Sequence, residues 1–361
     1  MWAIGGILIY LAIKRDMEPT LLLPLGFGII LVNLPLSGAV TQIFGSEVEE
    51  GVLSILFDAG ISNELFPLLL FIGIGAMIDF TPLLSQPKML LFGAAAQFGI
   101  FFTLSLAALV GFDLKDAASI GIIGAADGPT SIFVANYFKS NYLGAIIVAA
   151  YSYMALVPMI QPPVIKMVTT RKERLIRMHY KQKNIPQFVK ILFPIIVTAI
   201  AGLVAPRSVA LVGFLMFGNL IRECGVLRIL SETAQKELPN LITILLGITI
   251  AAQMEAKNFL TWQTILILGL GLIAFIFDTI GGVLFAKFLN LFSKNKINPM
   301  VGAAGISAFP MSARVIHKMG LDEDPYNHLL MHAAGANVSG QIASVIAGGL
   351  IITLVSAMTG S

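Results

Sequence analysis

Charge is scarce in this chain. Lys, Arg, Asp and Glu make up 12% of the 361 residues, about half of the ~25% found in a water-covered globule. Apolar residues reach 57% and the mean hydropathy is +0.88. A soluble fold is excluded, because the surplus apolar surface needs lipid. The net charge of +3 is too small for a nucleic-acid-binding surface. A single cysteine, Cys224, excludes an intramolecular disulfide and a thiolate metal cluster. Histidines are few (His179, His317, His328 and His332), and no zinc site is expected. A cleavable signal places positive charge before its apolar run. The N-terminus, MWAIGGILIYLAIKRD, places it after and reads as a short first membrane helix.

What the chain does have is a series of apolar runs. A spanning helix needs about 20 apolar residues. Runs of that order cover 2–13, 20–38, 65–85, 89–111, 143–166, 187–205, 208–222, 238–256, 264–288 and 327–358. The expected fold is an all-α polytopic membrane protein with about ten transmembrane helices. Two shorter stretches, 119–138 and 299–316, are interrupted by Gly and Pro, and 39–63 reads as amphipathic at one surface. Orientation follows Lys and Arg. Arg171, Lys172, Arg174, Arg177, Lys181 and Lys183 face one acid, Glu173, in RKERLIRMHYKQK (171–183), which marks a cytoplasmic loop. Lys14, Lys88, Arg222 and Lys287 fall on the same side only if both interrupted stretches enter the membrane and turn back. They are expected to be re-entrant hairpins, with the C-terminus outside.

The two hairpins align with each other. Gly121, Gly124, Pro129 and Ser131 fall on Gly302, Gly305, Pro310 and Ser312 at one offset, which also places Gln97 on Asp278. A slightly larger offset pairs Tyr153 with Asn337. An inverted-topology repeat is expected, of the kind that puts ion sites near the bilayer midplane. Its boundaries divide the chain into N-terminal helices (1–63), a first repeat (64–166), a basic loop with two linking helices (167–237) and a second repeat (238–361).

Non-helical backbone at membrane depth persists only where protein or a wet cavity satisfies it. The tips GAADGPTS (124–131) and GISAFPMSAR (305–314) free carbonyl oxygens, the ligands a hard cation prefers. Asp127 is the sharpest candidate, since a carboxylate at the bilayer centre costs about 2.5–3.5 kcal/mol even on lenient scales. It reads as a sodium ligand that is protonated when the ion leaves; capping of the broken helix is the plainer alternative. Asp278 reads equally well as a second ligand or a structural hydrogen-bond partner. Asn337 and Tyr153 can offer an amide oxygen and a phenol. Arg314 has the planar fork that suits an incoming carboxylate, or it snorkels to the interface.

GIIGAADGPTSIFVA (121–135), AAYSYMALVPMIQPP (149–163), NPMVGAAGISAFPMSARV (298–315) and MHAAGANVSGQIASVIAGG (331–349) closely resemble the beta subunit of sodium-translocating, biotin-dependent carboxylic acid decarboxylases. The resemblance covers nearly the whole chain. It implies a bacterial inner-membrane subunit on which carboxybiotin, carried by a separate biotin carrier protein, loses CO₂. Proton uptake then accompanies outward Na⁺ transport. Implied partners are a carboxyltransferase alpha subunit, a small gamma or delta membrane subunit and further copies of the beta subunit. The resemblance carries functional roles onto Asp127, Tyr153, Asn298, Gly302, Ser307, Arg314 and Asn337. With Asp278 added from its depth in the helix, the expected sodium ligands are Asp127, Asn337, Tyr153, Ser307, Asn298 and Asp278, with Arg314 meeting the carboxyl of carboxybiotin. A Na⁺-coupled carboxylate transporter of similar build is the alternative.

Overall fold

The computed structural model describes residues 1–15, 18–35, 37–44, 47–180 and 184–360. Lys181 and Lys183 of the basic loop lie outside the described residues. Helix dominates because long runs of Leu, Ile, Phe and Ala satisfy their backbone only within themselves once water is absent. Among the described residues the strands are β1 (Gln42–Phe44) and β2 (Glu47–Glu49), an antiparallel pair with Gln42 opposite Glu49. Within 39–63 the described residues form this strand pair and a helix at Val52–Phe57.

The chain opens with α1 (Trp2–Arg15) packed on α2 (Pro19–Val32). Then follow α3 (Leu65–Met77), α4 (Leu90–Ala96), α5 (Phe98–Val110), α6 (Leu114–Gly121), α7 (Gly128–Tyr137) and α8 (Leu143–Val168). The second part contains α9 (Gln187–Val204), α10 (Val209–Glu223), α11 (Glu237–Ile250) and α12 (Trp262–Phe292). It closes with α13 (Met300–Ala303), α14 (Met311–Glu323) and α15 (Leu330–Thr359).

Among the described residues five helices are long and apolar enough to cross a membrane: Pro87–Val110, α8, α9, α12 and α15. That is fewer than the ten expected spans. α2 and α11 have 14 residues each and α10 has 15. At 1.5 Å per residue, 14 residues reach about 21 Å, short of a ~30 Å hydrocarbon core. The run 89–111 also contains a turn at Gln97, between α4 and α5, that its composition does not announce.

α8, α12 and α15 enclose the two interrupted stretches. α6 is capped by Asp113, whose carboxylate accepts from the Lys115 amide. It tightens into a 3₁₀ turn over Ile122–Ala125, breaks at left-handed Ala126 (φ 52°), and restarts as α7. α13 and α14 are separated by residues 304–310. Residues 117–135 and 298–308 are buried without interruption. Small residues permit this depth: a Cβ on Gly340 of α15 would stand 2.1 Å from the Gly305 carbonyl oxygen.

Both arms of a clamp lie at the basic end of the bundle. Arg174 Nε meets Glu323 at 2.6 Å, Arg177 Nε meets Asp324 at 2.5 Å, and Lys287 Nζ meets Glu173 at 3.0 Å. These pairs fasten the segment after α8 to the ends of α14 and α12.

Candidate cation site between two broken helices

Asp127 caps α7 from inside the fold. Its side chain is 3% exposed. Oδ2 accepts from Thr130 Oγ1 at 2.8 Å, Gln341 Nε2 at 3.0 Å and Ser344 Oγ at 3.0 Å. Oδ1 has only the Thr130 amide, at 3.5 Å. All these donors are neutral, and no cationic side chain among the described residues pairs with the carboxylate. An isolated ionised carboxylate in such a medium must gain a proton or a cation.

The second tip reaches the first through Ser307. Its amide and its Oγ both donate to the Ala125 carbonyl, at 3.1 and 3.0 Å. Asn337 of α15 donates Nδ2 to the Ile306 carbonyl at 2.7 Å, while its Oδ1 is buried with no partner. α15 therefore serves both tips from one face, with Asn337, Gln341 and Ser344 following a helical i, i+4, i+7 spacing. Of the expected residues, Asp127, Ser307 and Asn337 come together on this seam.

Asp278 and Tyr153 flank it. Asp278 Oδ1 accepts from the Ile100 amide at 3.2 Å, so this carboxylate caps α5 from α12, using the helix N-terminus that the Gln97 turn creates. Its Oδ2 has no partner and faces Gly124, where a Cβ would lie 2.6 Å away. The Tyr153 hydroxyl donates to the Leu268 carbonyl, and its ring packs over Gly271.

Asn298 and Arg314 are not joined to this seam by any hydrogen bond or ion pair. Asn298 belongs to the clamp: Nδ2 donates to the carbonyls of Arg174 and Ile176, at 2.8 and 2.9 Å, and Oδ1 accepts from the Met300 amide. Arg314 is exposed on α14. His328 and His332 stand four residues apart, yet α15 begins between them and their rings part. His328 lies beside His317, with ring centroids 5.8 Å apart and planes tilted by 35°, while His332 Nδ1 meets Gln86 Oε1 at 3.0 Å.

Several residues of the site were not singled out from the sequence. Thr130, Gln341 and Ser344 hold Asp127. Tyr151, two positions from Tyr153, lays its ring over Gly128, where a Cβ would meet it at 2.2 Å, and its buried hydroxyl has no partner. Gln161 of α8 donates to the Ala303 carbonyl at 2.8 Å and to Ser312 Oγ at 2.9 Å, tying the second interrupted stretch to α8.

Long apolar helices around two broken ones, with an uncompensated carboxylate at their meeting point, define a class: helical membrane proteins with a polar site built into the core. The chain belongs to the family of Na⁺-transporting oxaloacetate decarboxylase beta subunits, whose model matches residues 1–355. It is 49% identical to methylmalonyl-CoA decarboxylase subunit beta of Veillonella parvula, over 99% of this chain and 92% of that protein. Glutaconyl-CoA decarboxylase subunit beta of Acidaminococcus fermentans is also 49% identical, over 98% and 92%. Oxaloacetate decarboxylase beta chain 2 of Salmonella typhi is 44% identical, over 99% and 95%. Family membership makes this chain the membrane subunit of a decarboxylase complex, coupling decarboxylation to Na⁺ transport.

Proposed function

We propose that Asp127 is the carboxylate that exchanges a proton for Na⁺ while carboxybiotin, borne by a separate carrier protein, is decarboxylated at the basic end. The carrying observation is its full burial among neutral donors alone. Na⁺ approaching Oδ1 would add to its shell the unpartnered Asn337 Oδ1 and freed carbonyls of the two tips, oxygen ligands throughout. Tyr153 and Ser307 form a second polar station, and Asp278 Oδ2 offers a further ligand beside the first tip. When CO₂ leaves carboxybiotin, the proton consumed is the one Asp127 releases as Na⁺ takes its place.

The basic end, with Arg171, Lys172, Arg174 and Arg177, faces the cytoplasm of a bacterial cell, and the C-terminus lies outside the inner membrane. Arg314, exposed and without an ion pair among the described residues, steers the carboxyl of carboxybiotin. The two hairpin-bearing halves act as inverted repeats that open the site alternately to each side. A carboxyltransferase alpha subunit, a biotin carrier, a small gamma or delta subunit and further copies of this chain complete the assembly.

Asp127→Asn keeps the shape and removes the charge. The assembled complex carrying it should lose Na⁺-dependent decarboxylation and Na⁺ uptake into inverted vesicles. Wild-type activity in that variant would remove Asp127 from the cycle. Carboxylate uptake by this chain alone in liposomes would favour a symporter instead.

A further inference from the structure

The span Pro87–Val110 changes neighbours at its turn. Before Gln97, α4 packs on α15; after it, α5 packs on α12. A groove of about 290 Å³ lies along this parting, with α15 as its second wall. The first wall carries Leu90, Ala94, Gln97 and Phe101, of which Leu90, Ala94 and Phe101 are exposed. The α15 wall runs from Ser339 to Leu350. At 1.5 Å per residue it is about 16 Å long, or three helical turns. Ala94 on one wall and Ala343 and Ala347 on the other leave room for a backbone to come close.

Gln97 lines this groove with an acceptor that nothing uses. The residue is 5% exposed; its Nε2 donates to the Gly93 carbonyl at 2.9 Å, and its Oε1 has no partner. The terminal amide torsion of glutamine is soft, so a small rotation presents that oxygen to the groove. An acceptor left unpaired in hydrocarbon is costly. Gln97 lies at least about 15 Å from either end of its span. That is half of a ~30 Å hydrocarbon core, too deep for lipid headgroups, and acyl chains donate no hydrogen bond. The exposed hydroxyls of the wall helices, Ser105 and Thr353, already donate to the Phe101 and Gly349 carbonyls, at 3.0 and 2.9 Å. The missing donor therefore has to come from another helix.

We propose that this groove seats one transmembrane helix of a partner subunit, which donates a side-chain hydrogen bond to Gln97 Oε1. A serine, threonine, asparagine or glutamine near the middle of an otherwise apolar helix has that chemistry. The interface rests on the multi-subunit assembly proposed above and not on the ion chemistry of Asp127, which Asp127→Asn decides separately.

The test uses the intact complex in vesicles. The single cysteine, Cys224, is changed to serine, and Ala94→Cys carries a benzophenone. Ultraviolet light should join it to an apolar segment of another polypeptide of the complex, identified by peptide mass spectrometry. Gln97→Leu removes the acceptor, and Ala343→Phe fills the groove. Native mass spectrometry should show the partner's apparent Kd raised about fivefold by the first, as loss of one membrane hydrogen bond predicts. The second should raise it further. Unchanged hydrogen-exchange protection of α12 checks that both variants fold, and if neither does, the benzophenone adduct decides alone. An adduct with lipid only, or with a second copy of this chain, overturns the proposal. Undiminished partner retention in both folded variants overturns it as well.

Discussion

Ser307 gives both its amide and its hydroxyl to one acceptor, the carbonyl of Ala125, at 3.1 and 3.0 Å. The residues lie in different interrupted stretches, so this oxygen is where the two are joined. Ser307→Ala keeps the amide bond and drops the other. A neutral hydrogen bond contributes about 1 kcal/mol, so the fold should persist while half-saturating Na⁺ rises about fivefold. A Na⁺ activation curve identical to wild type would detach this bridge from the ion cycle.

Gln341 supplies Asp127 Oδ2 from α15. Hydrogen bonds to charged groups contribute about 1.5–3 kcal/mol. Gln341→Leu should therefore weaken Na⁺ activation at least tenfold. Ser344→Ala should act in the same direction. Equilibrium ²²Na⁺ binding to the purified complex checks both, and undiminished binding would assign these side chains to packing alone.

Much of this arrangement was legible in the chain itself. Asp127, Gly124 and Pro129 stand out because charge and helix breakers are expensive in an apolar run, and Asn337 follows from its register with Tyr153. Gln341 and Ser344 were harder, since single amides and hydroxyls in membrane helices commonly bridge neighbours. Their i, i+4, i+7 spacing with Asn337 was the available signal. The turn at Gln97 had none, because glutamine neither stops nor starts a helix. Asn298 sits in the same motif as Ser307, and that motif gives no sign that its amide closes the Arg174–Ile176 backbone. Tyr151 and Tyr153 fall two residues apart on one helix, and sequence alone cannot say which covers Gly128.

The clamp at the basic end predicts an acid limit. Asp324 is held below the usual carboxylate range, chiefly by the hydrogen bond from Arg177 and then by the Tyr326 amide. A carboxyl depressed in the folded state adds stability that is complete above its unfolded value, about 3.9. That stability is lost as pH falls through the lower folded value. Hydrogen exchange over 171–178 and 320–327 should stay slow from neutral pH to about 4, after correction for intrinsic rates, and quicken only below it. Arg177→Gln should quicken it at neutral pH, and equal protection in the variant would discount the pair.

Two glycines should respond oppositely to the same change. A Cβ on Gly340 would lie 2.1 Å from a backbone oxygen, whereas one on Gly269 meets nothing within 4 Å. Gly340→Ala should cost about 1–3 kcal/mol through overpacking and lower the melting temperature in detergent. Gly269→Ala should raise it slightly, since alanine loses less backbone entropy in a helix, about 0.5–1 kcal/mol. Equal melting temperatures for the two variants would contradict the close approach of α15 to the second tip.

Asp278 separates capping from ion binding by its two oxygens. Oδ1 serves the Ile100 amide at 3.2 Å, and Oδ2 points unpartnered at Gly124 beside the first tip. Asp278→Asn retains an acceptor for Ile100 and removes the charge; Asp278→Leu removes both. Leucine should therefore destabilise the complex by about 1–3 kcal/mol, the cost of a buried donor left unmade, and asparagine by much less. If Oδ2 ligates Na⁺ in the cycle, asparagine should still raise half-saturating Na⁺ about tenfold, as the loss of a charged ligand contact does. Normal Na⁺ activation in a well-folded Asp278→Asn complex would leave this carboxylate the cap of α5 and nothing more.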